Sequence, residues 1–182
     1  MPPQQQDNFD SLVFLHRISK DPSMLAFLAE LNRVRIENPI DLDVILDELK
    51  TFKVDLPRSY TMGVGKVNEL NSTIQGFRDR VTEIALDVSR ALFYRTRLRD
   101  LASEHLLTTY DEVRNLRSVE LRTAAVASGC QEFIREVARG EFVEQQIKKA
   151  LDNLIAKNDN LSRQVTVVDL QLKLGEINRK GG

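Results

Sequence analysis

From Val67 onward the apolar positions are Leu70, Ile74, Phe77, Val81, Ile84, Val88 and Ala91, in steps of 3, 4, 3, 4, 3, 4 and 3. That heptad spacing keeps one stripe of a helix facing a neighbouring helix, as in a coiled coil. Past Ala91 the stripe changes phase, either to Tyr94, Leu98, Leu101 and His105 or to Leu92 and Arg95. A second seam, Ile147, Leu151, Leu154, Asn158, Leu161, Val165, Val168 and Leu172, steps 4, 3, 4, 3, 4, 3 and 4. Asn158 is its one polar member, the kind of buried amide that fixes register. Between the seams, Thr109 and Glu112 of LLTTYDEV have capping-box spacing and predict the start of a return helix. That helix is expected to run to about Arg139, with Gly140 as its C-cap. Its small residues, Ala124, Ala125, Ala127, Ser128 and Gly129, would let a neighbouring backbone come close. RQVTVVDLQLKL alternates β-branched and polar residues as a strand would. The heptad runs through it and no partner strand is evident, so a helix is the expectation.

The N-terminal part is punctuated differently. All five prolines, Pro2, Pro3, Pro22, Pro39 and Pro57, lie in the first 57 residues. Proline breaks helix interiors, so short helices are expected before Pro57 and long ones after it. The short ones are read at Asp7 to Ser19, Pro22 to about Glu37 behind Asp21, and Asp41 to about Phe52. The predicted fold class is all-α: a long antiparallel helical hairpin plus a third long helix, coiled-coil-like, with a small N-terminal helical lobe. The domain division drawn from it is a lobe over 1–56, a linker over 57–66 and a long-helix domain over 67–182.

A length of 182 residues suffices for one real core, and 42% hydrophobic with 29% charged residues is the composition of a folded, soluble chain. The formal charge of −1 hides a gradient: −4 over 1–56, +2 over 57–140 and +1 over 141–182. So mild a split argues against a general polyanion binder; any nucleic-acid contact must be local. The start, MPPQQQDNFD, has no signal-peptide character, and no apolar run is long enough to span a bilayer. One cysteine, Cys130, permits no internal disulfide and no multi-thiolate metal site. A cytoplasmic protein without membrane contact is expected.

Candidate chemistry is sparse. His16 and His105 lie in different regions, and Cys130 sits beside an alanine-rich helix face, where it reads as a small core residue. MGVGK at 62–66 lacks the full phosphate-loop spacing, with Val67 where the magnesium-binding hydroxyl would stand, so it reads as a linker opening a helix. Gly181-Gly182 reads as a frayed end. No catalytic residue, metal ligand or cofactor is expected, and the chain is read as no enzyme.

One stretch stands out. SRALFYRTRLRD, residues 89–100, holds four arginines and two aromatics before its first acid, Asp100. Arg90 and Arg97 share one helix face, and Arg95 and Arg99 another. A turn near 106–109 would bring Arg114, Arg117 and Arg122 towards the same end, with Tyr94, Phe93 and Tyr110 interleaved. Guanidinium groups hold phosphates and exposed rings stack on bases, the two needs of single-stranded nucleic acid. The competing reading is local pairing, for example of Arg95 or Arg97 with Asp100 and Glu104, with the aromatics in the seam.

The block LRSVELRTAAV at 116–126, the helix after it, and LSRQVTVVDLQ at 161–171 resemble the C-terminal half of phage recombination mediator proteins. These are small helical proteins that load a strand-exchange recombinase onto single-stranded DNA. Arg117, Ser118, Glu120, Leu121, Arg122 and Thr123 look like that family's basic-Ser-x-acidic-hydrophobic-basic-Thr stretch, and the 147–172 heptad looks like its oligomer-building tail. The resemblance implies a homo-oligomeric accessory that binds single-stranded DNA and meets a recombinase or single-strand-binding protein. Its nucleic-acid-binding set would be Arg90, Arg95, Arg97, Arg99, Arg114, Arg117, Arg122, Tyr94 and Tyr110. The acidic N-terminal lobe would dock the partner. The alternative is a structural coiled-coil component of a virion, scaffold or secretion machine, which needs only the seams.

Overall fold

A computed structural model describes residues 9–56 and 63–180. Most of the expected 57–66 linker, Met62 of MGVGK and Gly181-Gly182 lie outside the described residues. The chain forms α1 (Ser11–Ile18), α2 (Pro22–Glu37), α3 (Leu42–Thr51), α4 (Val64–Thr109), α5 (Asp111–Arg114), α6 (Val119–Gly129) and α7 (Gln131–Lys180). Among the described residues there is no strand, and the two long helices, α4 and α7, pack against each other. The fold class is all-α, and 164–174 is helix.

Each N-terminal helix starts on an aspartate whose carboxylate accepts first-turn amides. Asp10 caps α1 at Leu12 and Val13, Asp21 caps α2 at Ser23 and Met24, and Asp41 caps α3 at Val44. Pro22 holds the first position of α2, and Asn38, ahead of Pro39, ends that helix.

The first seam is buried as its spacing demands, at Leu70, Ile74, Val81, Ile84, Val88 and Ala91. It does not then change phase. The buried positions continue at Arg95, Leu98 and Ala102, the same steps of 4, 3 and 4. The apparent slip arose because a seam position is filled by an arginine. The second seam is buried at Ile147, Leu154 and Leu161, while Asn158 is half-buried and Val165 and Leu172 are exposed.

The return from α4 differs from the expected single helix. Thr109 is the last residue of α4 rather than a cap, and α5 follows Tyr110 with no side-chain cap. Ser118 supplies the effective cap, its hydroxyl accepting Leu121 N at 3.1 Å at the start of α6. After a break at Cys130, α7 runs straight through Gly140. A Cβ at Gly140 would lie 2.8 Å from Leu92 Cδ1, so the glycine serves close approach and is no C-cap.

Two compact units divide the molecule, and not at Pro57. One comprises residues 1–40 and 87–142, the other 41–86 and 143–182. The expected N-terminal lobe is thus shared out: α1 and α2 belong to the first unit and α3 to the second. Proline positions mark where helices stop; they do not say which neighbour each short helix packs against.

In the first unit the core is built from Phe14 and Ile18 of α1, Met24, Leu31 and Val34 of α2, and Leu98, Ala102 and Leu106 of α4, closed by Tyr110, Val113, Cys130 and Phe133. In the second, Phe52 packs against Phe77 at 5.1 Å between ring centroids, and Arg80 of α4 reaches Glu48 of α3 at 2.6 Å.

Candidate functional site

The arginine stretch lies on α4 inside the first unit, where helical geometry sends its members to different faces. Arg95 points inward and is 2% exposed. Its Nε donates to Glu136 Oε2 at 3.3 Å, Nη1 to Ala91 O at 3.0 Å, and Nη2 to Asn38 O at 3.0 Å. The last bond ties the C-terminal end of α2, where carbonyls lack helical partners and the helix dipole favours a cation. Glu136 also accepts from Arg35 Nη2 at 2.9 Å, and Arg35 reaches Glu132 at 2.8 Å. Burial alone would raise the Glu136 carboxyl, but Arg35 and Arg95 beside it hold it below the usual range. Burial draws the Arg95 guanidinium down, yet an arginine remains charged. Arg95 is therefore a structural cation and leaves the nucleic-acid-binding set.

Tyr110 leaves it as well. Only 4% exposed, its hydroxyl donates to Asp21 Oδ2 at 2.8 Å, and its ring meets Phe14 edge-on at 5.5 Å. Burial, then the Asp21 charge, pushes its pKa up to about 12. His105 Nε2 lies 3.0 Å from the same Asp21 oxygen; because a carboxylate only accepts, Nε2 carries the proton. Thr109 Oγ1 stands 3.2 Å from His105 Nδ1. Thr109, His105 and Asp21 have the order of a nucleophile relay; Asp21 caps α2, Thr109 is the last residue of α4, and His105 stands one turn before it. Burial would raise the Asp21 carboxyl; the Met24 amide, His105 and Tyr110 outweigh it and lower it to about 2.

What remains at the surface is a single face of α4. Arg90, Phe93, Tyr94 and Arg97 are all exposed, at positions 0, 3, 4 and 7 of two helical turns. Phe93 is 66% and Tyr94 45% exposed, and the rings meet edge-on with centroids 5.6 Å apart. Arg90 has only a loose contact with Asp87, at 3.9 Å. The Arg97 side chain has no hydrogen-bond or ion-pair partner among the described residues.

The other expected residues are distributed elsewhere. Arg99 bonds to Asp100 at 2.8 Å, Arg114 pairs with Asp111 on α5, and Arg117 is exposed in the link before α6. Arg99 and Arg122 line one groove, together with Leu107, Val119 and Ile134. Phe93, which sequence reasoning noted but left out of the binding set, belongs to the exposed face; its place four residues before Arg97 was the available signal. Glu136 and Arg35 were missed because nothing local ties them to Arg95, 41 residues from the first.

Cys130 is buried, with its thiol pushed up by burial and Ser103 Oγ 3.6 Å from its sulfur. Lys66 of MGVGK pairs with Glu69 at 2.8 Å in the first turns of α4. Among the described residues no group of His, Cys, Asp and Glu side chains is arranged to hold a metal ion, and no helix is long and apolar enough to cross a membrane. No family model, curated protein or solved structure matches this chain.

Proposed function

We propose that the protein is a non-enzymatic DNA-recombination or replication accessory that binds single-stranded DNA along the outer face of α4. The observation that carries this is the exposed Arg90–Phe93–Tyr94–Arg97 stripe. Two large rings left in water on a helix whose other face is well buried cost solvation and contribute nothing to the core. Flanked by guanidinium groups one turn away on either side, they have the composition of a stacking platform with phosphate holders. Arg114 and Arg117, exposed beyond the turn, extend the basic surface of the same unit. The resemblance of Arg117–Thr123 to the mediator stretch supports the same reading and adds its purpose, the loading of a recombinase.

The assembly is a homo-oligomer built through the end of α7. The heptad that buries Ile147, Leu154 and Leu161 continues in step to Val165 and Leu172, which are exposed in the single chain. An in-phase apolar stripe of this kind is what a second helix covers. The same stripe supports the structural reading, an assembly protein indifferent to nucleic acid, which the Phe93–Tyr94 pair disfavours.

The test is the affinity for a fluorescent single-stranded oligonucleotide across a salt series. The reading expects log affinity to fall with log salt at about 0.7 per phosphate held. It also expects Phe93→Ala/Tyr94→Ala to lose at least tenfold, since stacking is worth about 1–3 kcal/mol per base. A protein that oligomerises but shows no binding at low salt is a structural component.

A further inference from the structure

On the first unit, α4, α6 and α7 enclose an open groove of about 440 Å³. Its floor is apolar, formed by Leu107, Val119, Val126 and Ile134, and Arg99 and Arg122 are its only charged lining residues. The two hydroxyls that line it already have partners within the fold: Ser103 faces Cys130 Sγ, and Thr123 donates to Val119 O at 2.9 Å. The available polar functions are therefore the two guanidiniums. That of Arg122 has no hydrogen-bond or ion-pair partner among the described residues. Arg99 holds only the exposed Asp100, and a surface pair of this kind is readily exchanged. Val119 is 64% exposed and Leu107 and Ile134 about 39%, so the floor is apolar surface facing water.

From these features we infer that the groove is a docking site for a short acidic segment of a partner protein. The segment would lay an apolar face on Val119, Val126 and Ile134 and offer carboxylates to Arg99 and Arg122. Charge complementarity selects this occupant. No acid lines the groove, and a guanidinium grips a carboxylate with two parallel hydrogen bonds. Single-stranded DNA fits it less well, because no aromatic ring lines it and the exposed rings are on another face of α4. The inference stands apart from the DNA reading. It takes Arg99 and Arg122 out of the phosphate-binding set and makes them the partner's anchors.

The experiment measures anisotropy of a short fluorescein-labelled peptide with leucine and phenylalanine at helical spacing and aspartate between them. A control peptide carries lysine in place of each aspartate. The full-length protein should bind the acidic peptide saturably and the lysine peptide at least tenfold more weakly. Arg122→Glu should weaken the acidic peptide at least tenfold while leaving melting temperature unchanged. Val119→Asp, a change at an exposed first-turn position of α6, should do the same without disturbing the fold. Equal binding of both peptides, no saturable binding of the acidic one, or no effect of either substitution would overturn the inference. So would competition by an oligonucleotide together with loss of DNA affinity in Arg122→Glu, which would return the groove to the DNA interface.

Discussion

The two compact units use the same long helices and hold them by different means. In the unit of residues 41–86 and 143–182 the buried seam positions are aliphatic, Leu70, Ile74, Val81 and Ile84 from α4 and Val143, Ile147, Leu154 and Leu161 from α7. Its ion pairs, among them Arg80–Glu48, Lys66–Glu69 and Lys173–Asp169, are at the surface. The unit of residues 1–40 and 87–142 puts charge inside. Arg95 sits in the seam, and α2 is held at both ends, by His105 and Tyr110 on Asp21 and by Arg95 on Asn38 O. An aliphatic seam fixes which faces meet and little else. Directional bonds to helix ends also fix where a third helix lies, and both the exposed ring stripe and the groove are on the unit so fixed.

The sharpest break in this contrast is Glu136→Ala. Removing one partner of a buried ion pair strands the other, at a cost of about 3–5 kcal/mol. For a chain of this size that is on the order of 10 °C in melting temperature, at roughly 2–4 °C per kcal/mol. Glu48→Ala, which removes a surface partner from Arg80 in the other unit, should leave the melting temperature unchanged. Urea melts of both variants check the pair. The double substitution Arg95→Met/Glu136→Leu should recover most of the loss, because replacing both partners with apolar groups leaves no buried charge unpaired. A double variant as unstable as Glu136→Ala would show that the bond to Asn38 O, rather than the ion pair, holds α2.

A second difference is pH dependence. Asp21 has a folded-state pKa of about 2 against an ordinary 3.8, so it contributes stability that is complete above about pH 5. That stability is lost as pH falls through 4 towards 2, because the unfolded chain takes up the proton first. Urea midpoints between pH 5 and pH 2 should therefore fall less steeply in Asp21→Asn than in the native chain. Equal slopes would mean that other carboxylates carry the acid sensitivity.

The smallest effect separates two glycines. A Cβ at Gly76, in the aliphatic unit, meets nothing within 4 Å, so Gly76→Ala should stabilise by about 0.5–1 kcal/mol through helix propensity. At Gly129, in the other unit, a Cβ would come 2.7 Å from Leu106 Cδ1 and 2.8 Å from Ile18 Cδ1. There the same substitution should lower the melting temperature, since two neighbours must move at once.

The aliphatic unit was the more legible in sequence, and the reason is physical. A repeating seam is written in local spacing, so Val67 to Ile84 and Ile147 to Leu161 could be read directly. Arg95 obeyed the same spacing but had the wrong chemistry for it. The groups that make it acceptable, Asn38 O and Glu136, are 57 and 41 residues away. The Tyr110 ring was misplaced for the same reason, since its partner is Asp21, 89 residues earlier. Thr109 and Glu112 had the spacing of a capping box, yet the helix continued over Thr109 and Ser118 made the cap. Of the nine expected binding residues, two were drawn into the core by partners that no local pattern displays, and two more line a groove of another character.

Arg95 serves the fold while its neighbours Arg90 and Arg97 face solvent, and one paired measurement tests that separation directly. Single-stranded DNA affinity and melting temperature are read for Arg90→Glu/Arg97→Glu and for Arg95→Met. The first variant should lose at least tenfold in affinity with an unchanged melting temperature; the second should melt lower and, while folded, bind as the native chain does. Native affinity in Arg90→Glu/Arg97→Glu would contradict that separation and leave the exposed face of α4 without a nucleic-acid role.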